Sequence, residues 1–354
     1  MHGLGYGDSV ATFSGQLWAV PMHGLGQGNG AGPPIWGVVS TPVIYLLHDE
    51  GYGAFFKASI SGMELSFIGY ALVDDTDLVT IPDEQATLHD IAKEMQDMVD
   101  MWEGGIRATG GAIVPEKSHW YLVDFKWQND VWQYATIDEA PAELFVRDFN
   151  GLLKKLECLP VHEAQRTLGV SLAPDGNSVS EIAYLLGKAK EWRDRIRTGH
   201  LPRHLVWESM TTTILKTMQY PTTATTLSKA QCDKIMSPLL QAGLPCAGVS
   251  RNFPRVLVYG PTKFQGLGVT SLYTTQGLEH IERLLKFGTS KKHLTGKILR
   301  HSLKALKVEL GTNGSVLSLP YETWSHLATE SWLKHTWKFL AEHGMRISDG
   351  SADF

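Results

Sequence analysis

A change of period part-way along the chain restricts its fold more than any other feature. As far as Asp175 the apolar residues come in short runs such as Leu65 to Val73, Leu78 to Ile81 and Trp120 to Trp127, each closed by turn residues. From Ser178 they recur at three and four instead, through Ile182, Leu185, Leu186, Ala189, Trp192 and Ile196. Short runs bounded by turn residues predict strands, and the 3.6-residue period predicts helices. The expected fold class is α+β, with hairpins and packed helices first, then a mostly α-helical part, and a boundary at Asp175 to Ser178. With 354 residues, 43% of them hydrophobic, the chain has apolar side chains enough for two domains or so.

Charge divides along the same line. Residues 1–177 hold 9 Lys/Arg against 24 Asp/Glu, residues 178–310 hold 20 against 8, and residues 311–354 hold 3 against 5. A basic block joined to an acidic block that could hold cations suggests a polyanion gripped by one part and processed by the other. The three cysteines, Cys158, Cys232 and Cys246, are too scattered for a disulfide framework or a zinc site. No apolar window approaches the length of a membrane span, and no secretory signal opens the chain, so an intracellular protein, nuclear or cytoplasmic, is expected.

Within the first part, Gly69 to Leu78 reads as strand, acidic turn, strand, with Asp74 and Asp75 at the hairpin tip. Adjacent carboxylates repel, and a bound cation relieves that repulsion. Hard oxygen donors of this kind suit Mg2+, which is commonly held by one or two carboxylates plus substrate phosphates. Ordinary turn residues are the plainer reading of the same pair. Residues 1–32 are glycine-rich and read as loop or irregular hairpin. Ile35, Trp36, Val39, Val43, Ile44 and Leu47 follow helical spacing behind Pro34. Leu88 to Ile106 repeats at three and four and predicts a second helix ending near Gly110 and Gly111. Strands are expected over Phe55 to Ile60, over Trp120 to Trp127 returning at Val131, and over Glu143 to Arg147 returning through a tight Asn150-Gly151 turn. Beyond Pro202 a helix carries Leu205, Met210, Ile214, Leu215 and Met218, and Ser228 caps another with Ile235, Met236, Leu239 and Leu240.

The box Leu72 Val73 Asp74 Asp75 between two short strands resembles the aromatic-x-Asp-Asp box of reverse transcriptases, with Leu72 where most members have Tyr or Phe. Upstream, Gln27 Gly28 Asn29 Gly30 Ala31 Gly32 Pro33 is similar to the Gln-Gly-x-x-x-Ser/Gly-Pro box that precedes it in that family. Pro115 Glu116 Lys117 Ser118 resembles the segment that closes on the nucleotide. Thr167 Leu168 Gly169 Val170 resembles the Leu-Gly box that grips the primer end. Gly266 Leu267 Gly268 Val269 resembles the Gly-Leu-Gly-Ile segment that follows the thumb in non-LTR retrotransposon polymerases. Together they span roughly residues 20 to 290.

The resemblance implies a partial polymerase palm over 1–177, a basic helical thumb and connection over 178–310, and a helical tail over 311–354. It implies RNA-directed DNA synthesis by two-metal transfer to a primer 3′ end, with Asp74 and Asp75 holding Mg2+ and Lys117 as general acid toward pyrophosphate. Gln27, Gly28 and Pro33 would lie at the template and nucleotide, Leu168 and Gly169 at the primer end, and Lys188, Arg193 and Arg197 along the nucleic-acid backbone. The implied partners are an RNA template, a DNA primer and a dNTP, with no membrane. In the family a further carboxylate lies well upstream of the Gln-Gly box, where Asp8 is the sole acid. The chain is therefore expected to be an incomplete polymerase, inactive when isolated and completed by an upstream polypeptide if at all. A non-catalytic nucleic-acid-binding remnant is the alternative, followed by a phosphohydrolase built on Asp74, Asp75 and Asp77. Gly26, Gly28 and Ala31 also fit a dinucleotide fingerprint, which needs a βαβ unit that the pattern does not supply.

Overall fold

The computed structural model describes residues 11–13, 16–18, 32–58, 62–72, 75–81, 86–139, 142–290 and 292–347. They form a mixed α/β structure whose sheets are all two-stranded. The chain divides into two compact units, Met1–Lys57 with Glu64–Val161, and Ala58–Met63 with His162–Phe354.

In the first unit, β1 (Ala11–Phe13) pairs antiparallel with β2 (Gln16–Trp18). The expected helix behind Pro34 is α1 (Gly32–Asp49), which buries Val43 and Leu47. Two hairpins follow: β3 (Ala54–Lys57) with β4 (Glu64–Phe67), and β5 (Gly69–Leu72) with β6 (Asp75–Leu78). The single strand expected over Leu65 to Val73 is thus broken. Ile68 turns inward to 6% exposure, and at Gly69 the partner strand comes so close that a Cβ would lie 1.9 Å from the Asp77 carbonyl oxygen. Only glycine permits that approach.

The long amphipathic helix is α2 (Leu88–Ala108). Thr87 caps it by accepting from the Asp90 N–H, while the Asp90 carboxylate accepts from the Thr87 N–H at 2.9 Å. Such reciprocal capping satisfies donors that the first helical turn leaves open. One side of α2 places Met98, Trp102 and Ile106 against Val43, Leu47 and Ile68. Val99, on a neighbouring side, joins Trp120, Leu144, Val146 and Leu156.

The remaining strands of this unit are β7 (His119–Tyr121), β8 (Phe125–Gln128), β9 (Val131–Tyr134), β10 (Phe145–Arg147), β11 (Leu153–Lys155) and β12 (Glu157–Leu159). The strand expected over Trp120 to Trp127 divides in two. β7 pairs parallel with β12, and only β8 turns back, into β9, through Asn129 and Asp130 at φ 53° and 59°. β10 and β11 pair as expected, but not through a tight Asn-Gly turn. Asp148 Oδ1 instead accepts from the N–H groups of Asn150 and Leu152, both at 2.9 Å, which closes a wider loop.

The second unit opens with β13 (Gln165–Thr167) and β14 (Val170–Leu172), followed by α3 (Val179–Thr198). The helix expected after Pro202 runs as α4 (Arg203–Glu208), a π-helical turn Ser209–Ile214, and α5 (Leu215–Gln219). Next is α6 (Lys229–Cys246), capped at Ser228 as expected, with Gln231 completing a capping box. Leu185, Met210, Met218, Ile235 and Leu239 from these helices share one core.

After α7 (Arg255–Tyr259), the Gly266 to Val269 segment is neither helix nor strand. Its Leu267 and Val269 N–H groups donate to the Leu257 and Val258 carbonyls, at 2.8 and 3.0 Å. The chain ends in α8 (Leu272–Gly288), α9 (Leu294–Glu309), α10 (Tyr321–Trp324) and α11 (Trp332–Glu342). Leu284, Leu303, Leu306, Leu333 and Trp337 form a further core among them. Among the described residues no helix is long and apolar enough to cross a membrane.

Candidate functional site

The acidic hairpin is closed by the pairing of Leu72 with Asp75 across a two-residue connection. Asp75 therefore stands on β6 and is exposed, rather than at the tip. Asp74, Gln27 and Gly28 lie outside the described residues, and Pro33 falls in the first turn of α1. Alternation along a strand puts Asp75 and Asp77 on one face of β6. Asp77 is half-buried opposite Tyr70. Burial pushes its carboxyl above the usual range, the nearby His119 imidazole opposes that, and the Asp75 charge adds to it. The Tyr70 phenol is raised in turn, by burial and then by Asp77.

His119 was not among the residues the sequence singled out. It lies near enough to Asp77 to act on its charge, across 42 positions of sequence that no local pattern links. Two residues earlier, Lys117 is exposed in a one-turn 3-10 segment, Pro115–Lys117, and forms no ion pair among the described residues. Among those residues no three His, Cys, Asp or Glu side chains gather as a metal-binding group. Of the expected Mg2+ pair, Asp74 and Asp75, only Asp75 is described, and on its face of β6 Asp77 is the further hard oxygen donor of the kind that Mg2+ takes.

In the second unit, Leu168 and Gly169 form the two-residue turn between β13 and β14, at φ 51° and 84°. Positive φ at both positions gives a hairpin whose twist suits its strands, and it is unfavourable for leucine. Three contacts fix the hairpin to its helices. The Tyr220 hydroxyl donates to the Leu168 carbonyl at 2.8 Å, and the Ser171 N–H donates to Glu181 Oε2 at 2.8 Å. The Arg166 guanidinium lies 3.9 Å from the centre of the Tyr184 ring.

Between these elements is an open depression of about 430 Å3, lined by Arg166, Gly169, Glu181, Tyr184, Lys216 and Tyr220 among others. Glu181 is buried to 1% exposure, and its Oε1 has no hydrogen-bond partner among the described residues. Nothing in the sequence pattern pointed to Glu181, Lys216 or Tyr220. On α3, Lys188 Nζ pairs with Glu191 at 3.0 Å, and Arg193 is held by Asp194 at 2.8 Å. That bond raises the Arg193 pKa and lowers that of Asp194. Arg197 is exposed. The three expected backbone-binding side chains therefore share one helix, and two of them already have carboxylate partners.

Compared with known proteins, the chain matches no family model, no curated protein and no solved structure.

Proposed function

We propose that this chain is part of an RNA-directed DNA polymerase of retroelement type, acting on a primer paired to an RNA template. One observation supports the reading: the boxes occur in polymerase order along the sequence, and two of them lie at hairpin connections. The strand residues on either side of Val73 and Asp74 pair across a tight connection, and Leu168 and Gly169 form a turn tied to helices by Tyr220.

Asp74 and Asp75 would hold Mg2+, which supplies charge neutralisation at the phosphates and activation of the 3′ hydroxyl when bound. Lys117 would donate a proton to departing pyrophosphate. Gln27, Gly28 and Pro33 would support the template and incoming dNTP. Leu168 and Gly169 would place the primer end, and Lys188, Arg193 and Arg197 would meet phosphates by exchanging carboxylate partners for them.

The test is primer extension on an RNA template with Mg2+ and dNTPs, with Asp74→Asn in parallel. Extension that the variant loses supports the polymerase. A second reading, nucleic-acid binding without catalysis, is favoured by the excess of basic residues over 178–310. It is the outcome if neither protein extends the primer but both bind an RNA–DNA hybrid in a salt-sensitive way. Absence of both extension and binding overturns both readings.

A further inference from the structure

We propose that the corner between α8 and α9 is a binding site for the phosphodiester backbone of a nucleic acid, separate from the Leu168-Gly169 hairpin. The proposal rests on the nucleic-acid-binding part of the reading above and not on catalysis.

The 25 residues from Arg283 to Lys307 include eight Lys or Arg and no Asp or Glu. A surface helix ordinarily mixes both signs, and a block of one sign repels itself unless an opposite charge arrives. The fold concentrates this block rather than dispersing it. Around the Phe287 ring, the Arg283 guanidinium carbon stands at 5.8 Å, Lys286 Nζ at 5.4 Å and the His293 ring centre at 6.1 Å. Lys292 adjoins His293, and Lys297 lies one turn into α9, its N–H donating to the His293 carbonyl at 3.1 Å. All five cationic or titratable side chains are exposed, and Arg283, Lys286, Lys292 and Lys297 form no ion pair among the described residues. The contrast with Lys188 and Arg193 on α3, each held by a carboxylate, is direct.

Two further features point to an anion. Lys292, His293 and Lys297 crowd the N-terminal end of α9, where the helix dipole is positive and cations are disfavoured. His293 at the cap position makes no side-chain capping bond, so the first N–H groups of the helix have no partner from that side chain. The corner is also firmly built. Arg300, 8% exposed, donates through one nitrogen to the Gly288 and Ser290 carbonyls at 3.0 and 2.7 Å, tying the end of α8 to α9. The backbone that carries the exposed cations is therefore held in place before binding. A half-buried aromatic ring between cations suits a strand that offers both phosphates and base faces, and it suits an acidic peptide or a lipid surface less well.

The experiment measures anisotropy of a fluorescein-labelled RNA–DNA hybrid, and of single-stranded RNA and DNA, across a salt series. The proteins are the full chain and its R283Q/K286Q/K292Q/K297Q variant, with Lys292→Glu as a single-site check and thermal melts to show that folding is retained. We expect the quadruple variant to bind about 10- to 100-fold more weakly near 0.1 M salt. Its slope of log Kd against log salt should fall by about 2 to 4, since each lost phosphate contact removes roughly 0.9. Lys292→Glu should weaken binding in the same direction. Unchanged affinity and slope in a folded variant overturn the corner while leaving the function proposed above intact. Equal or tighter binding to polyglutamate or phosphatidylserine vesicles overturns the assignment to nucleic acid. No binding of nucleic acid by the unaltered chain overturns both proposals.

Discussion

Leu168 and Thr76 each break a local rule, with opposite implications. Leu168 holds φ at 51° on an exposed turn, a conformation that disfavours a leucine by about 1–2 kcal/mol. Asparagine tolerates that region, so Leu168→Asn should raise stability by about 0.5–1 kcal/mol, read as a shift in denaturant midpoint. If the leucine is there to meet a primer, the same variant will bind an RNA–DNA hybrid less well. A variant that is more stable and binds equally well removes Leu168 from the site. Thr76 lies on β6 between Asp75 and Asp77, facing away from them, and its hydroxyl is buried with no partner among the described residues. Replacing an unsatisfied hydroxyl by a methyl of the same shape is neutral or stabilising, so Thr76→Val should gain up to about 1 kcal/mol in thermal or denaturant unfolding. A loss of more than that would mean that the hydroxyl bonds to something outside the described residues. Glu103 obeys its rule fully. It is buried to 1% exposure, and desolvation alone would raise its carboxyl. The Arg147 N–H and the Arg107 and Arg147 side chains pull it below the usual range instead. Glu103→Ala should therefore destabilise the first unit by about 1–3 kcal/mol, because the part-buried Arg147 N–H loses its acceptor while the partly exposed Arg107 and Arg147 side chains turn to water.

Elements with strong local signals were legible in the sequence, and those made by distant pairing were not. α2 and α6 combine a sustained apolar stripe with a capping box; the stripe read from Leu88 to Ile106 and the cap and stripe read from Ser228 match the helices found, while the Thr87 cap was not read. Ser228→Ala should thus cost about 1 kcal/mol in unfolding midpoint, as loss of a cap ordinarily does. The β13–β14 turn was not legible, because leucine gives no hint of positive φ. β7 is the contrary case. Its three residues carry no signal of a parallel partner lying beyond β11, so the split of the Trp120 to Trp127 run was hidden. The π-helical turn at Ser209–Ile214 was hidden for another reason. An added residue per turn barely disturbs a stripe such as Met210, Ile214 and Leu215, and the backbone shift becomes visible only through its hydrogen bonds.

Across the whole molecule, the charge asymmetry read from the sequence bears on association rather than on fold, and pH acts on stability through a few buried groups instead. His280 is fully buried in the second unit, where it links three segments. Its Nε2 faces the Thr222 carbonyl at 3.1 Å, its Nδ1 the Thr336 hydroxyl at 3.4 Å, and its ring lies tilted against Trp332 with centres 4.5 Å apart. A carbonyl accepts only from an N–H, so the neutral ring carries its proton on Nε2. Burial pushes the His280 pKa down to about 4, and the neighbouring His335, itself lowered by burial, adds to that. An unfolded histidine titrates near 6.5, so between these values the unfolded chain binds the extra proton. Stability from the buried neutral ring is complete above about pH 6.5 and falls as pH drops toward 4, by up to about 3 kcal/mol. Guanidinium unfolding of the full chain between pH 7.5 and 4.5 should show the midpoint of the helical unit falling below pH 6.5. In His280→Gln the midpoint should begin lower at pH 7.5 and fall less steeply over the same range. Equal slopes in the two proteins would assign the acid sensitivity to other groups, with His335 the first to substitute.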